Sequence, residues 1–324
     1  MAMKVLCGDI GGTHSRLALA GVDGARVELL RVARYHNVDF PHLEAAMTRF
    51  LDGSAATLPC CLAVAGPTDG QHVRLTNLPW TLDAVALSHR FGFSRVLLIN
   101  DFAAVGWGLD SLADADLAPL QAAKSLPGAT RVALGAGTGL GVSLCAWQDD
   151  HYRPLPSEGG HVGFASANPE QDRLLAFLRE RYGRASLERI LSGPGLVDLY
   201  RFCLQEAGRT RSPLLDAGHP AEAISQAGLA GTDAKARRSV ALFSIIYGQT
   251  AGDLALAARA QGGVFLAGGI APKLIEMLGD GSFLAGFRAK GRFADWMHAI
   301  PVHVILDPDV GLKGAALAAA RAAD

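Results

Sequence analysis

Short, largely apolar runs of strand length open the chain. Met3–Ile10, His14–Val22 and Arg26–Tyr35 read as strands, separated by G-G-T and D-G-A, both rich in turn residues. From Pro41 to Leu51 the period lengthens to that of an amphipathic helix, with Asp39 near its start and Pro41 in a first-turn position. Pro59–Ala65 is predicted as a strand, Asp83–Phe91 as a helix and Arg95–Ile99 as a second buried strand. Strands first, then β and α in alternation, predict an α/β layer.

Past residue 110 the pattern restarts. Arg131–Ala136 and Val142–Trp147 read as a strand pair around a Gly-rich turn, and Glu170–Tyr182 and Pro194–Glu206 as amphipathic helices. Asp233–Ala260 is the longest predicted helix. Its Val240, Phe243, Ile246, Thr250 and Leu254 step by three or four, so one face is expected against a core. Gly263–Ala267 is a strand ending in Gly268-Gly269, Val302–Leu306 another, and Gly311–Ala322 an Ala-rich closing helix. G-D-I-G-G-T-H-S-R-L-A-L (Gly8–Leu19) is echoed by G-A-G-T-G-L-G-V-S-L (Gly135–Leu144), each an apolar strand, a turn of Gly and Thr, and a second apolar strand. A hairpin duplicated once per half predicts two related domains facing one another across a cleft.

Composition narrows the function. A chain of 324 residues, half hydrophobic and 19% charged, suits two packed domains and not disorder. Lys+Arg total 30 against 31 Asp+Glu, a net charge of -1, so no basic excess exists for a nucleic-acid backbone. Apolar runs such as Val96–Ile99 and Val240–Ile246 fall well short of the roughly 20 residues that span a bilayer. The start, Met-Ala-Met-Lys, carries no h-region, so neither membrane nor export is expected. Cys7, Cys60, Cys61, Cys145 and Cys203 are odd in number and form no C-x-x-C, which predicts buried thiols in a reducing cytoplasm.

The candidate chemistry sits at turns. Asp9 ends an apolar strand beside Gly11, Gly12 and Thr13, where backbone N–H groups and a hydroxyl can approach an anion. A carboxylate next to a phosphate needs a cation between them, and Mg²⁺ is the natural bridge; the plain alternative is a hairpin with a solvated Asp. The turn Gly135–Gly141, with Gly137, Thr138 and Gly139 at its tip, lacks the G-K-[ST] of a Walker loop and leads into a strand, unlike a dinucleotide fingerprint. Two such hairpins suit a triphosphate clamped from both sides. Asn100-Asp101 follows the strand Val96–Ile99 and precedes a helix, a place where Asp101 is either a functional carboxylate or the helix N-cap. Glu158 and His161 share a Gly-containing turn and can reach one polyol; zinc lacks further spaced ligands there, and a polar surface turn is the alternative. Glu188 precedes an abrupt G-P-G break. Asn100, Asp101, Glu158, His161 and Glu188 together have the character of a sugar site, where unpaired polar groups enforce selectivity.

With these residues in place the chain resembles the bacterial glucokinase family, within the hexokinase–Hsp70–actin superfamily, nearly end to end. The resemblance rests on G-D-I-G-G-T (8–13), T-N-L-P-W (76–80), I-N-D-F (99–102), G-A-G-T-G-L-G (135–141), E-G-G-H-V (158–162), L-S-G-P-G-L (191–196), F-L-A-G-G-I (265–270) and G-L-K-G-A-A (311–316), in that order. It implies a two-domain actin-like, ribonuclease H-like α/β fold with a ligand cleft, residues 1–110 plus 302–324 forming the small domain and 111–301 the large. It implies an ATP- and Mg²⁺-dependent kinase giving glucose 6-phosphate. Asp101 would be the general base; Asn100, Glu158, His161 and Glu188 would hold the sugar. Gly8–Thr13 (Gly8, Asp9, Gly11, Gly12, Thr13) and Gly137, Thr138 and Gly139 match the phosphate motifs, Gly268 and Gly269 the adenosine motif, and Asp9 would act on Mg²⁺ through water. Homodimers are common in the family. His14 stands where the family usually has Asn, and Gly163 where Asp often follows. The alternatives are a kinase for another hexose, such as mannose or fructose, and a non-catalytic sugar sensor.

Overall fold

β1 (Met3–Ile10) turns at Gly11–Thr13 and returns as β2 (His14–Asp23), which pairs in turn with β3 (Arg26–His36). β4 (Pro59–Val64) lies parallel to β1. A short ribbon, β5 (His72–Arg74) with β6 (Thr81–Asp83), intervenes before β7 (Arg95–Asn100), which lies parallel to β4. The order of this sheet is β3-β2-β1-β4-β7. The computed structural model describes residues 2–52, 57–66, 68–75, 78–155 and 157–322, so Thr76 and Asn77 of T-N-L-P-W lie outside it.

Successive residues of β1 point to opposite faces, so each face of the sheet has its own core. Leu6 and Ile10 join Leu43, Met47 and Phe50 of the helix Leu43–Leu51 and Leu87 of the helix Ala84–Phe91. Val5 and Cys7 join Ala104 of the helix Asp101–Gly108 and Leu312, Ala315, Ala316 and Ala319 of the helix Val310–Arg321. The first of these helices is capped at His42, whose Nδ1 accepts the Ala45 N–H at 3.2 Å. Asp39 sits earlier, in a 3₁₀ turn, and Pro41 precedes the helix.

The second sheet contains β8 (Leu117–Gln121), β9 (Arg131–Ala136), β10 (Leu140–Gln148), β11 (His151–Leu155), β12 (Gly263–Ala267) and β13 (Val302–Ile305), in the order β11-β10-β9-β12-β13-β8. Counted from β9, its first five strands repeat the 3-2-1-4-5 order of the first sheet, and β9–β10 is the counterpart of β1–β2. β8 is an antiparallel addition beside β13 that the sequence pattern did not reveal, because Pro119 interrupts it; proline is tolerated there since the strand is an edge. The chain divides into two compact units, one of Met1–Asp116, Cys145–Pro156 and Asp307–Asp324 (unit 1), the other of Leu117–Leu144 and Ser157–Leu306 (unit 2).

Unit 2 is built around the helix Ala234–Ala258, capped by Asp233, whose Oδ1 accepts the Lys235 and Ala236 N–H groups at 2.8 Å. Val240, Phe243, Ile246 and Thr250 are buried as the spacing predicts, and Leu254 is half-buried. By length and composition this helix is able to cross a bilayer, but 61% of its apolar window is buried within the protein.

All five cysteines are buried, and none forms a disulfide. Burial pushes the Cys7 and Cys203 thiols up to about 12, and raises those of Cys60 and Cys61 as well. Thiolate is the reactive form, so a disulfide reagent at pH 8 is expected to leave all five untouched on the minutes timescale in the folded protein and to titrate all five in denaturant.

Candidate functional site

In unit 1 the site residues lie at the C-terminal ends of parallel strands. Ile10 is in register with Val64, and Val64 with Asn100. The Gly11–Thr13 turn and Asn100-Asp101 therefore share one edge of the sheet, two strand spacings or roughly 10 Å apart. Asn100 is the N-cap of the helix Asp101–Gly108. Its Oδ1 accepts the Phe102 N–H at 2.8 Å and the Ala103 N–H at 3.2 Å, while Nδ2 approaches the Gly66 carbonyl at 3.4 Å. The capping that the sequence allowed for Asp101 thus falls to its neighbour. Asp101 is the first helical residue, half-buried, with Oδ1 accepting the Phe102 N–H at 2.9 Å.

Asp9 faces Arg16 directly across the β1–β2 hairpin, and its Oδ2 accepts from Nη2 at 2.8 Å. Arg16 also donates through Nη1 to Asp309 at 2.6 Å, so one guanidinium joins two carboxylates. Asp9 Oδ1 has no hydrogen bond among the described residues, and the side chain is one-third exposed. No group of three His, Cys, Asp or Glu suited to a metal occurs among the described residues. A metal beside Asp9 would therefore keep most of its waters, one of them held by the carboxylate, and take its ligand's own oxygens, a donor set that fits Mg²⁺.

The Gly-rich turn is fastened by Asn37, which sequence reasoning missed. Asn37 is buried; its backbone N–H donates to Thr13 O at 2.9 Å, its Nδ2 donates to Gly11 O at 2.8 Å, and its Oδ1 accepts from Ser15 Oγ at 2.7 Å. No local pattern marks an Asn that acts across 26 residues. Arg16 did carry a signal, since a charge placed symmetrically with Asp9 around a hairpin is its cross-strand partner. His14 lies 4.1 Å from His36, ring to ring. Desolvation, then Arg34 and His36, hold its imidazole below the usual histidine range.

In unit 2 the predicted residues gather around Leu140. The turn before it is pinned by Gly137 N–H to Gly139 O and by Gly193 N–H to Gly137 O, both 2.8 Å. Leu140 N–H donates to Glu188 Oε2 at 3.0 Å. On its other side Gly160 packs so tightly that a Cβ there would overlap the Leu140 carbonyl. That places the 3₁₀ turn Gly159–His161, with Glu158 and His161 exposed at its ends, against the start of β10. Leu187 N–H donates to Val162 O at 2.9 Å, and Gly163 bridges Ser186, which lace the same turn to the segment carrying Glu188. Gly135 is in register with Ala267, so Gly268 and Gly269 emerge beside the Gly137–Gly139 turn. Gly268 has φ +80°, and a Cβ would lie 2.6 Å from Ala136 O.

A family profile described as Glucokinase matches residues 6–322. A glucokinase from Nostoc punctiforme is 39% identical over 337 residues, covering 98% of this chain and 99% of its own. The crystal structure of glucokinase from an Antarctic psychrotroph superimposes with a TM-score of 0.88 at 30% identity, over 98% of this chain and 99% of that one. Glucokinase from Balamuthia mandrillaris, solved in complex with glucose, gives a TM-score of 0.81 at 25% identity, over 99% and 94%. The actin-like two-domain α/β class expected from the sequence is borne out.

Asn37→Ala removes two side-chain hydrogen bonds from one turn, leaving Gly11 O and Ser15 Oγ short of a partner, while the backbone N–H bond to Thr13 O remains. Urea unfolding is expected to show a loss of about 1–3 kcal/mol.

Proposed function

This chain belongs to the glucokinase family and is a glucose-phosphorylating kinase, and we propose that it uses Asp101 as the base that accepts the sugar 6-hydroxyl proton while that oxygen attacks the γ-phosphate of ATP. The carrying observation is the common finish of β1, β4 and β7, which sets the Gly11–Thr13 turn and Asn100-Asp101 along one sheet edge. Reactive groups of α/β sheets collect at such edges.

The roles follow from what each residue has left to offer. Asn100 gives its carbonyl to the helix cap and one amide hydrogen faces the Gly66 carbonyl, so its second amide N–H is the part that meets a sugar hydroxyl. Glu158 and His161, exposed on one short turn, and Glu188, half-buried beside it, supply acceptors and a donor for the remaining hydroxyls. Backbone N–H groups of the Gly11–Thr13 and Gly137–Gly139 turns, with the Thr13 and Thr138 hydroxyls, receive the phosphates. Gly268 and Gly269, beside the second turn, receive the adenosine end. Asp9, whose contacts with Arg16 both fall on Oδ2, uses Oδ1 to hold a water of Mg²⁺. Mg²⁺ when bound would offset the charge of the phosphate oxygens.

Transfer of a phosphoryl group depends on in-line placement and charge stabilisation more than on covalent help from the protein. Glucose as acceptor is supported by the glucose complex of the Balamuthia mandrillaris relative. The five buried thiols, none in a disulfide, support a reducing, cytoplasmic location. The family resemblance supports a homodimer.

Asp101→Asn is expected to lower kcat by about 10²–10⁴-fold, the range typical of a general base. Its glucose affinity by calorimetry should stay close to that of the unaltered protein. Turnover above a tenth of the original rate would remove Asp101 from the role.

A further inference from the structure

Glu188 occupies two environments at once. Its Oε2 accepts the Leu140 N–H at 3.0 Å, inside the hairpin whose tip is Gly137–Gly139. Gly139 approaches it so closely that a Cβ would overlap Oε2 and stand 3.3 Å from Cδ. The Glu188 carbonyl accepts from Ser192 Oγ at 2.7 Å, and Ser192 Oγ in turn accepts the Gly195 N–H at 3.0 Å. The neighbouring Gly193 N–H holds Gly137 O. The hairpin is thus held at its start by Gly193 and at its end by Glu188, both in unit 2.

The peptide of Leu140 is enclosed from two sides: Glu188 binds its N–H, and Gly160 abuts its carbonyl. Gly159 adds a contact of the same kind, where a Cβ would come within 2.9 Å of Val142 Cβ. The Glu188 carboxylate and the Glu158–His161 turn thus both abut the start of β10, where a displacement of the phosphate hairpin would reach them. Packed interiors transmit such displacements.

We propose that Glu188 is a positioning residue which couples the phosphate hairpin to sugar affinity, one carboxylate oxygen fixed on Leu140 and the other left for a sugar hydroxyl. This rests on the sugar-binding role proposed for Glu188 above. Coupling between two bound ligands is reciprocal, so sugar occupancy tightens the hairpin for the donor to the same degree that donor occupancy tightens the sugar site. The arrangement favours donor binding in molecules that already carry an acceptor.

The test measures glucose affinity by calorimetry on the full chain with no nucleotide present. Gly139→Ala adds one methyl group to the donor hairpin and displaces Glu188. It is expected to weaken glucose binding by about tenfold or more, the effect of one lost hydrogen bond to a charged group. Unaltered glucose affinity in Gly139→Ala overturns the coupling. A second pair separates the two oxygens and decides the matter if Gly139→Ala does not fold. Glu188→Gln keeps an acceptor for Leu140 N–H, so the ATP KM should stay near its original value while glucose weakens. Glu188→Ala loses both contacts and should raise the ATP KM several-fold as well. An unchanged ATP KM in Glu188→Ala also overturns the coupling. Unchanged glucose affinity in Glu188→Ala sinks instead the assignment of Glu188 to the sugar, which is a distinguishable failure.

Discussion

Parallel pairing sets Ile10 level with Val64 and Asn100 in one sheet, and Gly135 level with Ala267 in the other. Each strand of these sets ends where its neighbour ends, so the turns that follow are brought side by side without any side chain needing to reach far. The alternation along β1, with Leu6 and Ile10 on one face and Val5 and Cys7 on the other, locks that register. A slip of one residue would carry every apolar side chain of the strand to the wrong core. Site geometry and core packing are therefore one constraint: the strands cannot move the turns without unpacking a face.

The repeated strand order explains why two glycine-threonine hairpins appear in one chain. The hairpins are β1–β2 and β9–β10, and in both the residues around the tip are tied down by a distant side chain or backbone group. Asn37 does this in unit 1, Gly193 and Glu188 in unit 2. Turns built from glycine have no side chains of their own to fix them, and the loss of chain entropy on ordering them must be offset by such anchors.

Strands and long helices were legible because apolar runs and helical periodicity report directly on burial: β1, β9 and β12 have the limits that their apolar runs predict, and the face Val240–Thr250 is buried. Short elements were not. β5 and β6 span three residues each, too few for a period, and β8 carries a proline. Asp9, Asn100-Asp101 and Glu158 were singled out as candidates because they sit where strands give way to a turn or a helix. Their supports were hidden, because a hydrogen bond from Asn37 to Gly11 or from Leu140 to Glu188 depends on where distant segments pass in space. The cap at residue 100 was misplaced by one for a related reason: Asn and Asp are equally good caps, and only the path of the backbone decides between them.

The central claim is that this arrangement phosphorylates glucose at the expense of ATP. The most direct measurement incubates the purified chain with ATP, Mg²⁺ and a panel of hexoses and follows the sugar 6-phosphate formed. The account predicts turnover with a clear preference for glucose, dependent on Mg²⁺ and matched one-to-one by ADP. A folded protein that forms no 6-phosphate from glucose, or that prefers another hexose, would contradict it.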